Sequence, residues 1–355
     1  MTTQTLDQPT GSDFARLSRR VADAGLMDRR PGYYVLRFAL LAGWHAATIT
    51  AFLLLGDSWW QLLVAVAAAF GSGQTALLAH DVAHRQVFRT RRPSAVVGRL
   101  LGNLGIGMSY GWWTDKHTRH HANPNHEGLD PDVEPGALVW TGEQARAARG
   151  RVVRFLNRHQ AALFFPLITF AAVDLRRASL QALLGRDRRQ VPLRGLELAL
   201  IAAHVAVYLT ALFLVLPAGL AVAFLVLHQA LFGLYLGSVF APNHKGMQMP
   251  TERMDFLRKQ VLTSRNVRGG GLTDRPLHVV MGGLNHQIEH HLFPSMPTAN
   301  LRAARDVVRG YCAEVGVAYH ETGLVRSWQE SLAQLREASA GTDELNRDEL
   351  SPAVR

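Results

Sequence analysis

One cysteine, Cys312, stands among 355 residues. That scarcity excludes a disulfide framework, a cysteine-held iron–sulfur cluster and a dithiol redox pair within the chain. The segment from Met1 to Arg30 has no apolar core, so no cleavable signal peptide is expected. Arg16, Arg19, Arg20, Arg29 and Arg30 instead mark it for the cytoplasmic side of a membrane. Carboxylates are the scarcer charge, 28 against 38 Lys and Arg, which leaves a net charge of +10. Two short connections, Gly56-Asp57-Ser58 and Pro217-Ala218-Gly219, hold neither Lys nor Arg. The zincin motif H-E-x-x-H is missing because Asp81 follows His80, which removes that general base. No internal repeat is visible.

Apolar residues are plentiful, 48% of the chain, and they gather into runs. A bilayer crossing takes about 20 of them. Four runs reach that length: 33–55, 59–79, 196–216 and 218–240. A mean hydropathy near zero then requires a large polar part outside the membrane. Trp59 and Trp60 sit where aromatic anchors belong. Ala69 and Gly73, and later Gly233-x-x-x-Gly237, let other helices approach closely. Phe14, Leu17, Val21 and Ala24 recur at helical spacing and stop at Gly25, which predicts a short amphipathic helix on the membrane surface. Val97, Leu100, Leu101, Leu104 and Met108 form a second stripe, broken by Gly102, Gly105 and Gly107, expected along the interface.

The run 161–173, around Pro166, is too short to span and suits a buried or re-entrant segment. Parity points the same way. If the histidine motifs serve one site, an even number of crossings separates His121 from Gln287, so 161–173 does not cross. The expected class is an all-α integral membrane protein with four transmembrane helices and a helical cap. Residues 1–31 form a cytoplasmic segment, 32–337 the membrane domain with its cap in 80–195 and 241–337, and 338–355 a polar, disordered tail.

The histidines organise this plan. His80-Asp81-Val82-Ala83-His84, His117-Thr118-Arg119-His120-His121 and Gln287-Ile288-Glu289-His290-His291 each place side chains three or four apart, hence on one side of a helix. A lone H-x-x-x-H arises by chance; three such motifs, each beside an apolar segment, point to metal. Imidazole suits Zn, Cu, Fe and Ni, so spacing does not name the metal. One catalytic zinc takes three protein ligands and one structural zinc four. Seven clustered imidazoles therefore read most economically as two metals. His244, at the end of the fourth run, is a further candidate ligand. His45, His204 and His228 fall within spans and read as packing or channel residues. His126, His159, His278 and His320 have no clustered partner, and His286 points away from the His290 face. Gly107-Met108-Ser109-Tyr110-Gly111 fits G-x-S-x-G, but its surroundings read as helix, so it is not a nucleophile elbow.

The three motifs, in this order and with these spans between them, resemble the integral-membrane fatty acid desaturases, most nearly the bacterial acyl desaturases related to front-end and linoleoyl-CoA desaturases. Ser109-Tyr110-Gly111-Trp112-Trp113 leading into Lys116-His117-Thr118-Arg119-His120-His121-Ala122-Asn123-Pro124-Asn125 carries the likeness, as does Gln287-Ile288-Glu289-His290-His291-Leu292-Phe293-Pro294. It runs from about Gly32 to Leu335. The resemblance implies a non-haem di-iron centre that uses O2 and two electrons to place a cis double bond in a long acyl chain. Its iron ligands would be His80, His84, His117, His120, His121, His290 and His291. His244 matches the family's additional histidine, and Gln287 stands where related desaturases carry His. Front-end members often carry a fused haem-b domain with a His-Pro-Gly-Gly motif. This chain has no such motif, so a separate donor of ferredoxin or flavin reductase type is expected. The first motif is one residue shorter than in animal stearoyl-CoA desaturases, so double-bond position is not carried over.

The chemistry agrees with that likeness. An unactivated methylene has no acidic proton, so general acids and bases do not cleave it, whereas an oxidising metal centre does. Asp81, Asp130, Asp132 and Glu289 are candidates to orient imidazole N–H groups. Trp112 and Trp113 are candidates to line an acyl tunnel. The basic face suits CoA phosphates, anionic lipids or an acidic electron donor, with no nucleic acid expected, and the positive-inside rule alone also explains it. The expected location is a bacterial inner membrane, with both termini and the site cytoplasmic. The rivals are a hydroxylase or ketolase of the same superfamily, a membrane zinc hydrolase, and a metal transporter, whose histidines would line the spans.

Overall fold

The computed structural model describes residues 12–185 and 191–350, the last nine of these by backbone alone. The helices are α1 (Asp13–Asp23), α2 (Pro31–Leu55), α3 (Gln61–Ala83), α4 (Arg91–Arg99), α5 (Tyr110–Ala122), α6 (Gly142–Ala147), α7 (Arg151–Ile168) and α8 (Ala171–Leu184). They continue as α9 (Arg194–Val215), α10 (Ala218–His244), α11 (Phe256–Leu262), α12 (Asp274–Val280), α13 (Gln287–Leu292), α14 (Thr298–Glu314) and α15 (Leu324–Leu350). A π-helical turn, Leu100–Gly105, extends α4. Two three-residue strands, β1 (Asn266–Arg268) and β2 (Glu321–Gly323), pair in parallel and fasten the third motif's approach to the start of α15.

α2, α3, α9 and α10 are the helices long and apolar enough to cross a membrane. Their outer faces leave Val35, Leu40, Leu54, Val207 and Leu214 bare, at 64–82% exposure. A water-facing surface does not carry apolar patches of that extent; lipid contact explains them. The turn between α2 and α3 is closed by Gln61, whose amide donates to Phe52 O and Gly56 O. α3 and α10 run past the expected ends at 79 and 240, to Ala83 and His244. The first motif and His244 therefore ride on the last turns of spanning helices, which rigidly set their direction.

The run 161–173 folds as the end of α7, a turn, and the start of α8. Neither helix is among the candidate spans. The turn packs against α10 where Gly233 leaves room: a Cβ there would lie 2.3 Å from Thr169 O, and one on Gly237 would meet Ile168 at 2.8 Å. The two glycines thus let the α7–α8 hairpin pack closely against α10.

Two expectations are corrected. α1 does not turn its apolar stripe to a membrane: Leu17 and Val21 are fully buried in the cap core with Ile288, Leu292, Leu301 and Val308. Its apolar stripe has found a protein partner, and burial of each such side chain contributes up to about 1.5–3 kcal/mol. Nor is 338–350 a disordered tail, since α15 continues through it. Ala338 and Ser339 are buried, Ser339 Oγ donates to Asn157 O, and Gly341 packs directly on Gly142. Polar composition misled because small residues, not large apolar ones, make this contact. Residues 351–355 lie outside those described.

Candidate metal centre

Three elements bring the motifs together at one end of the spans. α3 carries His80 on its last turn and His84 at its cap. α5 starts where Ser109 Oγ accepts from Trp112 N, so the serine of the G-x-S-x-G pattern is a helix cap. Ser109 also donates to Glu197, fully buried at the start of α9, which accepts from Arg99 Nε (2.9 Å), Asn103 Nδ2 and Gly111 N as well. This carboxylate fixes the entrance to α5. α13 is buried at every residue, and Asn266 Oδ1 accepts from Ile288 N to hold it against β1.

The imidazoles converge on two adjoining pockets. His80, His84, His117, His121 and His290 offer ring nitrogens within 4.8 Å of one another, and His120, His244 and His291 do the same. The pockets touch where His121 stacks on His291, ring centroids 4.2 Å apart. His117 Nε2 approaches His84 Nε2 at 2.9 Å and His121 Nε2 at 3.0 Å. Nitrogens bound to one ion at about 2 Å sit roughly 3–4 Å apart, so this is ligand spacing. Both ring nitrogens of His80 and His290, and Nε2 of His291, are buried without a hydrogen-bond partner. Orphaned polar atoms at this density are rare in folded proteins, and a metal ion would satisfy one nitrogen on each ring. Burial, reinforced by neighbouring imidazoles, holds His84, His117, His121, His290 and His291 well below the usual histidine value. They are neutral at pH 7, the ligand form.

Behind the ring nitrogens that face the three-histidine pocket stand orienting groups. His120 Nδ1 donates to Asp130, 3.0 Å from both carboxylate oxygens. His244 Nδ1 donates to Thr263 O and His291 Nδ1 to Gln260 Oε1. Gln287 brings its amide 2.9 Å from His244 Nε2. In the five-histidine pocket, Asp81 Oδ1 lies 3.5 Å from His80 Nδ1, and its Oδ2 accepts from Arg37 and Thr298. Asp132 is 3.4 Å from His120 Nδ1, 36% exposed, and paired with Lys116. Glu289 touches no imidazole: it accepts from Asn266 and Tyr319 and anchors α13 to its neighbours. Gln260, Thr263 and Arg37 carry no sequence signal, because each acts through a tertiary contact from outside the motifs.

His286 lies apart from both pockets, near His278. His45, His204 and His228 bond within the helical layer, to Thr75, Leu104 O, and Ser72 and Tyr208 respectively. Beneath His80 opens a narrow apolar slot of about 30 Å³ among Ala76, Met108, Trp113, Leu175, Leu236 and Phe240. Trp113 stacks on His117 at 4.4 Å and forms one wall. Trp112 does not; it packs with Leu183, Val191 and Ile201.

An all-α integral membrane protein whose cap gathers eight imidazoles into two touching pockets, one of them bordering an apolar slot at His80, has the frame of a membrane metal site of the histidine-motif kind. Comparison with known sequences makes that specific. The chain belongs to the fatty acid desaturase family, whose pattern it matches over residues 57–323. It is similar to the Acyl-lipid (9-3)-desaturase of Physcomitrium patens, 29% identical over 88% of this chain and 60% of that protein. It is also similar to the Delta(6)-fatty-acid desaturase fat-3 of Caenorhabditis elegans (28% identical, 91% of this chain, 74% of that one). The Delta(8)-fatty-acid desaturase of Helianthus annuus is 24% identical over 92% of this chain and 73% of its own. The chain thus spans three-fifths of the moss protein and about three-quarters of the other two.

Proposed function

We propose that this chain is a membrane fatty acyl desaturase that places a cis double bond in a long-chain substrate, carried as a CoA thioester or a lipid ester. One observation carries the reading: two touching all-imidazole pockets lie together, and an apolar slot opens beneath His80 of the first. His80, His84, His117, His121 and His290 would hold one iron, and His120, His244 and His291 the other, with Gln287 beside the second. Iron bound there would supply the redox chemistry by which O2, two electrons and two protons remove two hydrogens from adjacent methylenes and leave two waters. The chain's own part is positional. Asp130, Thr263 O and Gln260 fix the tautomers of His120, His244 and His291, so that their Nε2 atoms face the pocket. Trp113, Phe240 and Leu236 bind methylenes and exclude water from the slot, which keeps a reactive centre from side reactions.

The basic residues on the motif side, Arg85, Arg89, Arg91 and Arg92 among them, together with outer turns that hold neither Lys nor Arg, support a cytoplasmic site in a bacterial inner membrane. Electrons would come from a separate ferredoxin or flavin reductase. The test is purified protein assayed for iron, for O2 uptake dependent on reductant and acyl substrate, and for product mass. Two irons per chain and a product lighter by two hydrogens are expected. A product heavier by one oxygen would make the chain a hydroxylase, and reductant-independent turnover would sink the reading.

A further inference from the structure

Several polar side chains inside the helical layer are not used by the metal centre. Arg176 on α8 is the most unusual. Its Nε donates to Ile106 O at 2.9 Å, its Nη1 donates to Gln229 Oε1, and its guanidinium lies over the Phe232 ring at 5.3 Å. Among the described residues these partners are a carbonyl, an amide and an aromatic face, none of them a carboxylate. From Gln229 the contacts continue: Tyr208 OH donates to His228 Nδ1 at 2.6 Å, and His228 Nε2 donates to Ser72 Oγ at 3.1 Å. Side chains from α3, α8, α9 and α10 thus meet in one hydrogen-bonded cluster. An ionisable group at membrane depth is costly and usually marks function.

Its position relates it to the slot. The slot walls Ala76, Met108, Leu175, Leu236 and Phe240 pack without a break onto Ala69, Ile106, Ala172 and Phe232. Phe232 packs in one cluster with the slot walls Leu236 and Phe240, and the Arg176 guanidinium lies over its ring. Ser72 lies two turns below His80 on α3, about 12 Å along the axis at 1.5 Å per residue. We propose that the cluster of Arg176, Gln229, His228, Tyr208 and Ser72, capped by Phe232, is the floor of the acyl slot and sets the longest chain the enzyme accepts. This rests on the desaturase reading above. The slot's open space, about 30 Å³, is one water's share of liquid volume. An acyl chain therefore enters by turning wall side chains aside. Met108, Leu175 and Phe240 lose only dispersion contacts when they swing. The floor does not yield in that way, because moving Arg176 would strip its donors of acceptors in an apolar medium.

The test uses full-length, metal-loaded enzyme and saturated acyl chains of increasing length, offered as CoA thioesters and in phospholipid vesicles. Conversion and double-bond position are read by mass spectrometry. Phe232→Ala deepens the slot, so the first chain that wild type rejects should be converted about tenfold better or more, the size of discrimination one methylene gives in an apolar pocket. Leu236→Trp, one turn nearer His80, should lower the limit while shorter chains are still converted. The double bond should stay at the same carbon, because the reacting end is unchanged. If Phe232→Ala does not fold, the shortened limit of Leu236→Trp decides. Folded variants with wild-type metal content and the wild-type length limit would overturn the inference and leave the desaturase reading intact. Absence of desaturated product at every length in wild type would overturn both.

Discussion

Asp130→Asn tests whether the three-histidine pocket depends on the groups behind it. Asp130 is almost fully buried, and its two oxygens receive three donors: His120 Nδ1, Asn125 N at 2.7 Å and Asp132 N at 2.9 Å. The amide is isosteric but keeps one oxygen, so at least one buried donor faces an NH2 group. That costs about 1–3 kcal/mol of stability. His120 also loses the carboxylate that fixes its tautomer, and changes of this kind lower metal affinity roughly 10- to 100-fold, or about 1.4–2.7 kcal/mol. The five-histidine pocket has no contact with Asp130 through its ligands and should keep its ion. Dialysis against a graded chelator, followed by elemental analysis, should show one iron per chain leaving early and the other at the wild-type concentration. Asp132→Asn is the control. Its 3.4 Å approach to His120 and its exposure make it worth no more than about 1 kcal/mol. Two irons lost together from Asp130→Asn, or neither lost early, would refute the argument.

Trp113→Ala should cut turnover about tenfold or more while iron content holds, because the ring stacks on His117 and walls the slot where, on the proposed function, the acyl chain would lie; Trp112→Ala should instead cost up to about 3 kcal/mol of stability, seen as a lower thermal midpoint at near-normal turnover. Stripping the metal should lower that midpoint and reloading should restore it, since a site filled at 100 times its dissociation constant adds about 2.7 kcal/mol. Equal midpoints for stripped and loaded protein would count against buried neutral imidazoles as its ligands. Gly341→Val should destabilise by about 1–3 kcal/mol, as its Cβ would sit 2.3 Å from Gly142 O; a neutral result by thermal denaturation would return 338–350 to the status of a dispensable tail.

What could be seen in advance was whatever local spacing encodes. Apolar runs of bilayer length announced α2, α3, α9 and α10, and the parity of crossings kept 161–173 from being counted as a fifth. Histidines at helical spacing announced the pockets. The misses share a cause. α1 showed its stripe but not what would cover it, and the cap core that does so comes from residues nearly 300 positions away. Gln260, Thr263 and Arg37 orient ligands across tertiary contacts, and Glu289 was misplaced by its neighbours: adjacency to His290 on a short helix turns a side chain about 100° away from it. Glu197 was hidden by position, since one carboxylate at the head of an apolar run reads as a helix start, not as the acceptor of four donors.

The doubled histidines explain how one set of helix faces lines two pockets. On α5, His117 and His121 are four apart and share the five-histidine pocket, while His120, about 100° from His121, turns into the other. α13 repeats the device, with His290 in the first pocket and His291 in the second. Adjacent histidines at a helix end are therefore a fork: each tine enters a different pocket, and the rigid turn between them fixes the separation. α3 and α10 do not fork. Each rides on a single spanning helix and serves one pocket, α3 with His80 and His84, α10 with His244. Spanning helices thus supply the outer imidazoles of each pocket and the two forked cap helices supply the seam between them. This arrangement requires α3 and α10 to end at the same side of the bilayer, the condition that parity imposed on the sequence.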